Sequence, residues 1–339
     1  TRSLCDWSSD VCSSDLDYMI NELQETKKII ADERRTTISN KTEEQLKAEE
    51  AAIKKAATLV AKNSECYVSL FADGTVIRSE TPFKQERSPL ALVNQVRTRT
   101  QEKLIFVTEK GDAYKIPSIY IQDKEPMNAS VATGIKSSKI VGMGKEILDK
   151  KDFGLLLVTS SGGVNIVNGG FPVGDEFSII KLDTNEVVVG AYWLETNEFK
   201  NKSVVIVSSD ANILHFRINE IRTSNSGAGT VRGMSLEEGV VAVGASVTLA
   251  KDSVVVSCTH KTIKVTNLSD VPDRKRGAKG VRLQRLSKGD EVITAFASDK
   301  VIANKNGRSL RLPDVTDRAL SGDGRSGSDV QLGHYGIKQ

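Results

Sequence analysis

Basic side chains recur at a fixed step along this sequence. Four residues beyond each of six turn centres (Gly74, Gly111, Gly162, Asp210, His260 and Gly307) stand Arg78, Lys115, Ile166, Leu214, Lys264 and Arg311. In the fourth case His215 and Arg217 follow at once, whereas the third repeat offers only Asn165 and Asn168. A cation at one place in each repeat would put positive charge around one rim of whatever the repeats build. Solvated strand faces also carry Lys and Arg, so one or two matches would mean little; five repeats of six favour a functional rim.

The charge peaks between Lys261 and Arg311. There 13 Lys or Arg face 5 Asp or Glu, a local net of +8 in a chain whose formal net charge is +3. Within this stretch lies the run Arg274, Lys275, Arg276, Gly277, Ala278, Lys279, Gly280, Val281, Arg282, and Arg308 follows further on. Such cations neutralise phosphates, and the glycines let the backbone approach a partner closely. The run contains no aromatic residue, so stacking on single-stranded bases is not expected. The pattern suits contacts to a duplex backbone, which position DNA without reading its sequence. A curved basic rim would also let a bent duplex wrap around it.

Other chemistry is not expected. The chain has no G-x-S-x-G, Walker A or H-E-x-x-H motif, and its three histidines have no neighbouring Cys or Asp constellation. No catalytic residue, metal ligand set or bound cofactor is therefore assigned. Cys5, Cys12, Cys66 and Cys258 are too few and too scattered for a disulfide scaffold or a zinc site, and Cys66 and Cys258 read as buried thiols at strand starts. Ser321–Asp329 resembles a calcium loop only weakly, because no closing Glu stands at the right spacing. Apolar runs such as Gly154–Val158 and Val240–Val247 fall far short of the ~18 residues of a membrane helix. With no signal peptide in view, a reducing cytoplasmic setting and no membrane partner are expected.

The elements that must position the basic residues follow from periodicity. Residues 1–16, a Ser/Asp-rich repeat, read as an adapter-derived, non-native extension and are set aside. Over residues 17–62 the apolar positions fall mostly 3, 4 or 7 apart, which predicts two helical stretches flanking Asp32–Thr37. From residue 63 short β-branched runs alternate with tight turns, each a strand–turn–strand hairpin. The turn centres are 37, 51, 48, 50 and 47 residues apart. Asn225–Gly239 and Lys275–Gly289 align at an offset of 50, superposing Gly227 on Gly277, Arg232 on Arg282 and Leu236 on Leu286. Four short strands per repeat, six times over, predict an all-β, six-bladed propeller-like disc over residues 63–320, with a disordered tail at 321–339.

Two segments also carry a family resemblance. Asp17–Ile38, with its core Asp32-Glu33-Arg34-Arg35-Thr36, resembles the segment closing the breakage-reunion region of bacterial type IIA topoisomerase A subunits. The repeats after it resemble the C-terminal β-pinwheel of those subunits, a domain that binds and bends duplex DNA. The resemblance implies a nucleoid-associated protein whose parent enzyme is an ATP-hydrolysing DNA isomerase. In that parent the A subunit forms a homodimer, and ATP and Mg²⁺ enter through the B subunit. It also implies a cleaving tyrosine preceded by arginine. None of Tyr18, Tyr67, Tyr114, Tyr120, Tyr192 or Tyr335 has that context, so the chain is expected to lack the catalytic region upstream and to be inactive alone. The family's supercoiling specialists carry a Q-R-R-G-G-K-G box at the first blade. Here the nearest match is Arg274–Gly280, before the sixth hairpin, which favours a topoisomerase IV-type over a gyrase-type parent.

Two other readings compete. A propeller serving as a protein-interaction module would share the 50-residue period, although paired glycines occur only at Gly162-Gly163 and Gly169-Gly170. A propeller hydrolase would need convergent carboxylates or histidines that the sequence does not offer.

Overall fold

The computed structural model describes residues 17–25 and 63–334, apart from 84–89, 136–137, 147–152, 196–201, 250–252, 300, 306–307, 311, 313–319 and 322–329. Residues 17–25 are helical, as the periodicity predicts, and belong to a compact unit separate from the repeats. The rest of the expected helical region, the first sixteen residues and most of the expected tail lie outside the described residues; in that tail Val330–His334 forms a strand. No described helix is long and apolar enough to cross a membrane.

Each repeat opens with a hairpin: Glu65–Phe71 with Thr75–Ser79, Lys103–Thr108 with Asp112–Pro117, Phe153–Thr159 with Gly163–Asn168, Lys202–Ser208 with Asn212–Arg217, Val254–Thr259 with Thr262–Asn267, and Val301–Lys305 with Arg308–Leu310. The first strand of each hairpin also pairs with an inner strand further along its own repeat: Leu92–Arg99, Ile140–Lys145, Val188–Glu195, Ala242–Leu249, Val292–Ser298 and Val330–His334. The free edge of the hairpin is then covered by a short strap that comes from the following repeat. Met127–Asn128 covers blade 1 and Glu176–Ser178 covers blade 2. Thr223–Ser224 and Val231–Arg232 cover blade 3, Val281–Arg282 covers blade 4, and Leu320–Ser321 covers blade 5. An uncovered edge would expose a row of unpaired backbone groups, and strand exchange removes it.

This exchange corrects the expected six four-stranded blades to five, with an incomplete sixth sheet, among the described residues. Five sheets have four or more strands, but the sixth has three. Its next neighbour in a ring is the first repeat, whose corresponding segment, 80–91, contributes no strand among the described residues.

The ring nevertheless closes. Inner strands of successive sheets pack side by side, and Val330–His334 of the last lies against Leu92–Arg99 of the first. The approach is so close that a β-carbon on Gly333 would collide with the carbonyl oxygen of Leu92, and one on Gly244 with that of Ala295. All six inner strands, through Val93, Val141, Val189, Val243, Ile293, Gln331 and several of their neighbours, line a cavity of about 450 Å³. Between blades the faces bury apolar clusters. Val68, Leu104, Phe106 and Met143 fill the first gap, and Leu156, Ile206, Leu214 and Phe216 the third. The fifth gap buries Val256, Cys258, Val301 and Leu332. Both described cysteines are buried free thiols, but only Cys66 lies at a strand start; Cys258 sits near a strand end, where burial pushes its pKa up to about 12.

The turns set which face each basic residue occupies. In blades 1 to 4 three residues separate the hairpin strands, the last of them left-handed: Gly74, Gly111, Gly162 and Ala211, with φ of 83°, 81°, 78° and 62°. The fourth turn is thus centred on Ala211 rather than Asp210, and the residue four beyond it is His215. Arg78, Lys115, Ile166 and His215 then occupy one register position, opposite Val68, Ile105, Leu156 and Val205. The fifth turn is one residue shorter, and Lys264 pairs with Ser257 one step nearer the turn. A one-residue slip sends a side chain to the opposite face of a strand. Lys264 therefore faces back toward blade 4, while the others face forward.

His215 is buried, and neither ring nitrogen makes a hydrogen bond. Burial, reinforced by the Arg217 charge, lowers its pKa; Asp273 and the Val271 backbone, which lies outside good hydrogen-bond geometry, oppose that shift. The unfolded chain therefore takes up this proton first as pH falls, so native stability drops from about pH 6.5 downward. Replacing His215 with Ile, the residue at the same position in blade 3, should flatten the loss of denaturation midpoint between pH 7.5 and 5.5. An unchanged pH slope would refute this account of His215. At the ring junction, Gly333→Val should cost about 1–3 kcal/mol through overpacking against Leu92 and lower Tm by several degrees. A wild-type Tm would show that the junction does not hold the ring.

Candidate nucleic-acid interface

The straps are the outermost strands of the sheets, and three of them join edge to edge. Gly227 donates its N–H to the Ile179 carbonyl at 3.1 Å, and Lys181 donates to that of Ala228 at 3.1 Å. The same pair of bonds recurs one repeat later, from Gly277 to the Gly233 carbonyl at 2.6 Å and from Ser235 to that of Ala278 at 3.0 Å. Glycine is needed where this zipper crosses: Gly277 and Gly280 have φ of 84° and 87°, and a β-carbon on Gly280 would strike the Ile213 carbonyl. The result is one ridge running along the edge of blades 2, 3 and 4, built from straps of repeats 3, 4 and 5.

Exposed cations stud this ridge. Lys181, Arg222, Arg232, Arg274, Lys275 and Arg282 are all exposed. Lys279 is exposed too, but its ammonium bonds the Glu237 carboxylate, which raises its pKa. Arg217 is half exposed and lies 3.4 Å from Asp273. Arg276 is partly buried and tied to neighbouring backbone. Residues 223–236 and 273–286 contain no aromatic side chain.

The residues expected on a basic rim thus divide. Arg274, Lys275, Lys279 and Arg282 come together on the ridge. Arg308 is exposed in the incomplete sixth sheet, away from it, and Arg311 lies outside the described residues. Arg78, Lys115, His215 and Lys264 do not form a rim, which corrects that expectation. Lys115 and Lys264 are 4% and 6% exposed, and the Arg78 side chain is 14% exposed. The Lys115 ammonium bonds Glu146 and the Pro172 carbonyl, both at 2.5 Å, and lies 5.6 Å from the Phe177 ring centre. Lys264 bonds the Leu283 carbonyl at 2.6 Å. Where a strap crosses from one blade to the next its carbonyls leave the sheet ladder, and a buried carbonyl without a donor is costly. A long amine reaching through the gap supplies that donor. Arg78 meets a strap segment through backbone, its N–H donating to Gln122 and its carbonyl accepting from Lys124, with Asp123 4.0 Å from its Nε.

Lys181, Arg222 and Arg232 escaped the sequence reading, though a signal existed for Arg232. The offset of 50 places it on Arg282, and both are second residues of two-residue straps.

Comparison with known proteins agrees with this architecture. Residues 202–248 and 262–299, within the fourth and fifth repeats, match the family described as DNA gyrase C-terminal domain, beta-propeller. The DNA gyrase A subunit of Borrelia hermsii is 27% identical over 69% of this chain and 30% of its own length. That of Staphylococcus epidermidis is 24% identical over 96% of this chain and 38% of its own length. The chain thus spans well under half the length of the curated relatives it matches. A crystal structure of the C-terminal domain of DNA topoisomerase IV superposes with a TM-score of 0.65 at 18% identity, covering 80% of this chain and 93% of that one. A structure of a DNA gyrase A C-terminal domain superposes with a TM-score of 0.57 at 20% identity, covering 80% of this chain and all of that one. The two structures share the fold of this chain, and the family model and the curated relatives are similar to it in sequence.

Proposed function

We propose that the ridge of straps binds the phosphate backbone of duplex DNA without reading its sequence and bends the duplex along the curve of the ring. The single observation that carries this reading is the continuity of the ridge. Its exposed cations lie on consecutive straps that are hydrogen-bonded to one another, so they face one partner together. Glycines at the crossings keep the backbone low, and the two strap segments richest in cations, residues 223–236 and 273–286, offer no aromatic platform for single strands.

In this reading the domain presents duplex to a type II topoisomerase core for ATP-dependent strand passage. The core is an A-subunit homodimer joined by the B subunit, which holds ATP and Mg²⁺. In this reading strand cleavage belongs to the core, since none of the tyrosines of this chain follows an arginine. The parent would be of the topoisomerase IV type, because the basic Gly box stands in the fifth strap rather than in the first blade, and it would work at the nucleoid in the cytoplasm.

Two titrations test the proposal. Affinity for a random-sequence duplex should fall linearly on a log–log plot against salt, with a slope of roughly 0.9 per phosphate neutralised. Replacing Arg232, Arg274, Lys275 and Arg282 with Ala should weaken binding at least about tenfold and flatten the slope by roughly three units or more. Wild-type slope and affinity in that variant would sink the proposal. A duplex should also outcompete a single strand of equal length; preference for the single strand would point to a different groove.

A further inference from the structure

We propose that Arg276 is a positioning residue for the DNA track rather than a phosphate contact, an inference that rests on the duplex-binding reading above. Charge alone would assign it to a phosphate, since it stands in the middle of the most basic run of the chain. The geometry assigns it elsewhere. Its backbone N–H donates to the Glu220 carboxylate at 2.9 Å. Its Nε donates to the Glu220 carbonyl at 3.2 Å, and a terminal guanidinium nitrogen donates to the Arg232 carbonyl at 2.5 Å.

Those partners lie on different segments. Glu220 ends the 3-10 turn Ile218–Glu220 after the fourth hairpin, and Arg232 lies on the fourth strap. Arg276 itself belongs to the fifth repeat, beside the zipper bonds of Gly277 and Ala278. One planar fork therefore staples three pieces of chain. Lysine cannot copy this, because a single ammonium lacks the fixed spread of donors that spans two carbonyls. The staple occurs at only one of the two zipped junctions: at the offset of 50 the fourth strap has Ser226 where the fifth has Arg276.

Two consequences follow. The staple fixes Arg232 relative to Lys275 and Arg282, so less ordering remains to be done when a duplex docks. It also occupies two carbonyl oxygens whose partial negative charge would otherwise stand beside the phosphates. Arg276 thus contributes to affinity through the arrangement of its neighbours.

The experiment compares the wild type with R276A, R276K and K275A. Duplex affinity is measured across a salt series, and amide hydrogen exchange is followed at Gly277 and Ser235, whose N–H groups close the zipper. K275A should flatten the salt slope by about 0.9 and leave exchange at both amides unchanged. R276A and R276K should both lose about threefold to tenfold in affinity at every salt concentration, with parallel slopes and faster exchange at both amides. The proposal is overturned if R276K keeps wild-type affinity while R276A flattens the slope by about 0.9, because retained charge would then be what matters. Unchanged exchange in both Arg276 variants also overturns it. Failure of the functional reading looks different: the wild type itself would then bind no duplex, whatever the exchange rates show.

Discussion

A sheet of three short strands has two edges of unpaired backbone N–H and C=O groups, and in this ring, among the described residues, the outer edge of every sheet but one is covered by chain from the next repeat. That exchange is the constraint from which most else follows. It forces each repeat to send a segment outward across its neighbour, so the outermost layer of the disc consists of straps with loops between them. A loop there meets solvent and whatever large partner docks on the edge. It also forces a polar crossing through the gap between blades, where strap carbonyls leave one ladder before joining another. The protein meets the two demands with different cations: exposed ones on the straps and buried ones beneath the crossings.

The buried set shows why charge pattern and charge function are separate questions. Lys115 and Lys264 stand in strands that read as basic surface in one dimension, yet each is buried and ends on a carbonyl of a strap or of the segment adjoining it. A buried ammonium is tolerated only with close acceptors, and Lys115 has both a carboxylate and a carbonyl. Where the third blade places Ile166 at the equivalent position, the strap pairs directly with it through Thr223. The position thus tolerates Arg, Lys, His or Ile because its role is to meet the strap, through backbone or side chain as the local crossing requires.

The architecture was largely legible because hairpins and glycine turns are local. The six hairpins, their spacing and their inner strands all follow from alternation and turn residues within a dozen positions. The straps did not announce themselves: two-residue pairs such as Val231–Arg232 have no periodicity to read, and their partners lie a repeat away. The rim expectation failed for two nameable reasons. Ala211 holds a left-handed turn conformation that alanine rarely adopts, so the fourth turn was centred one residue early. The fifth turn is a residue shorter, which moved Lys264 to the other face of its strand. Burial was the remaining gap, since nothing in the spacing of Arg78 or Lys115 says that a strap will cross over it.

Strand exchange also bears on how the ridge can act. Because each strap pairs with one blade and is carried by the next, a force on a strap is shared between two blades rather than absorbed by a loop. The zipper between straps extends this sharing from repeat 3 to repeat 5. A duplex lying on that arc would meet cations whose spacing is set by the packing of the blades, and blades joined by buried clusters such as Leu156, Ile206 and Phe216 do not shift independently. A stiff polymer gains most from a track that does not yield to it. If the cations sat on independent loops, the protein would deform in preference to the DNA and the contacts would not accumulate into a bend. With the straps zipped, the cost of deformation falls on the duplex, which is the condition for backbone-driven bending.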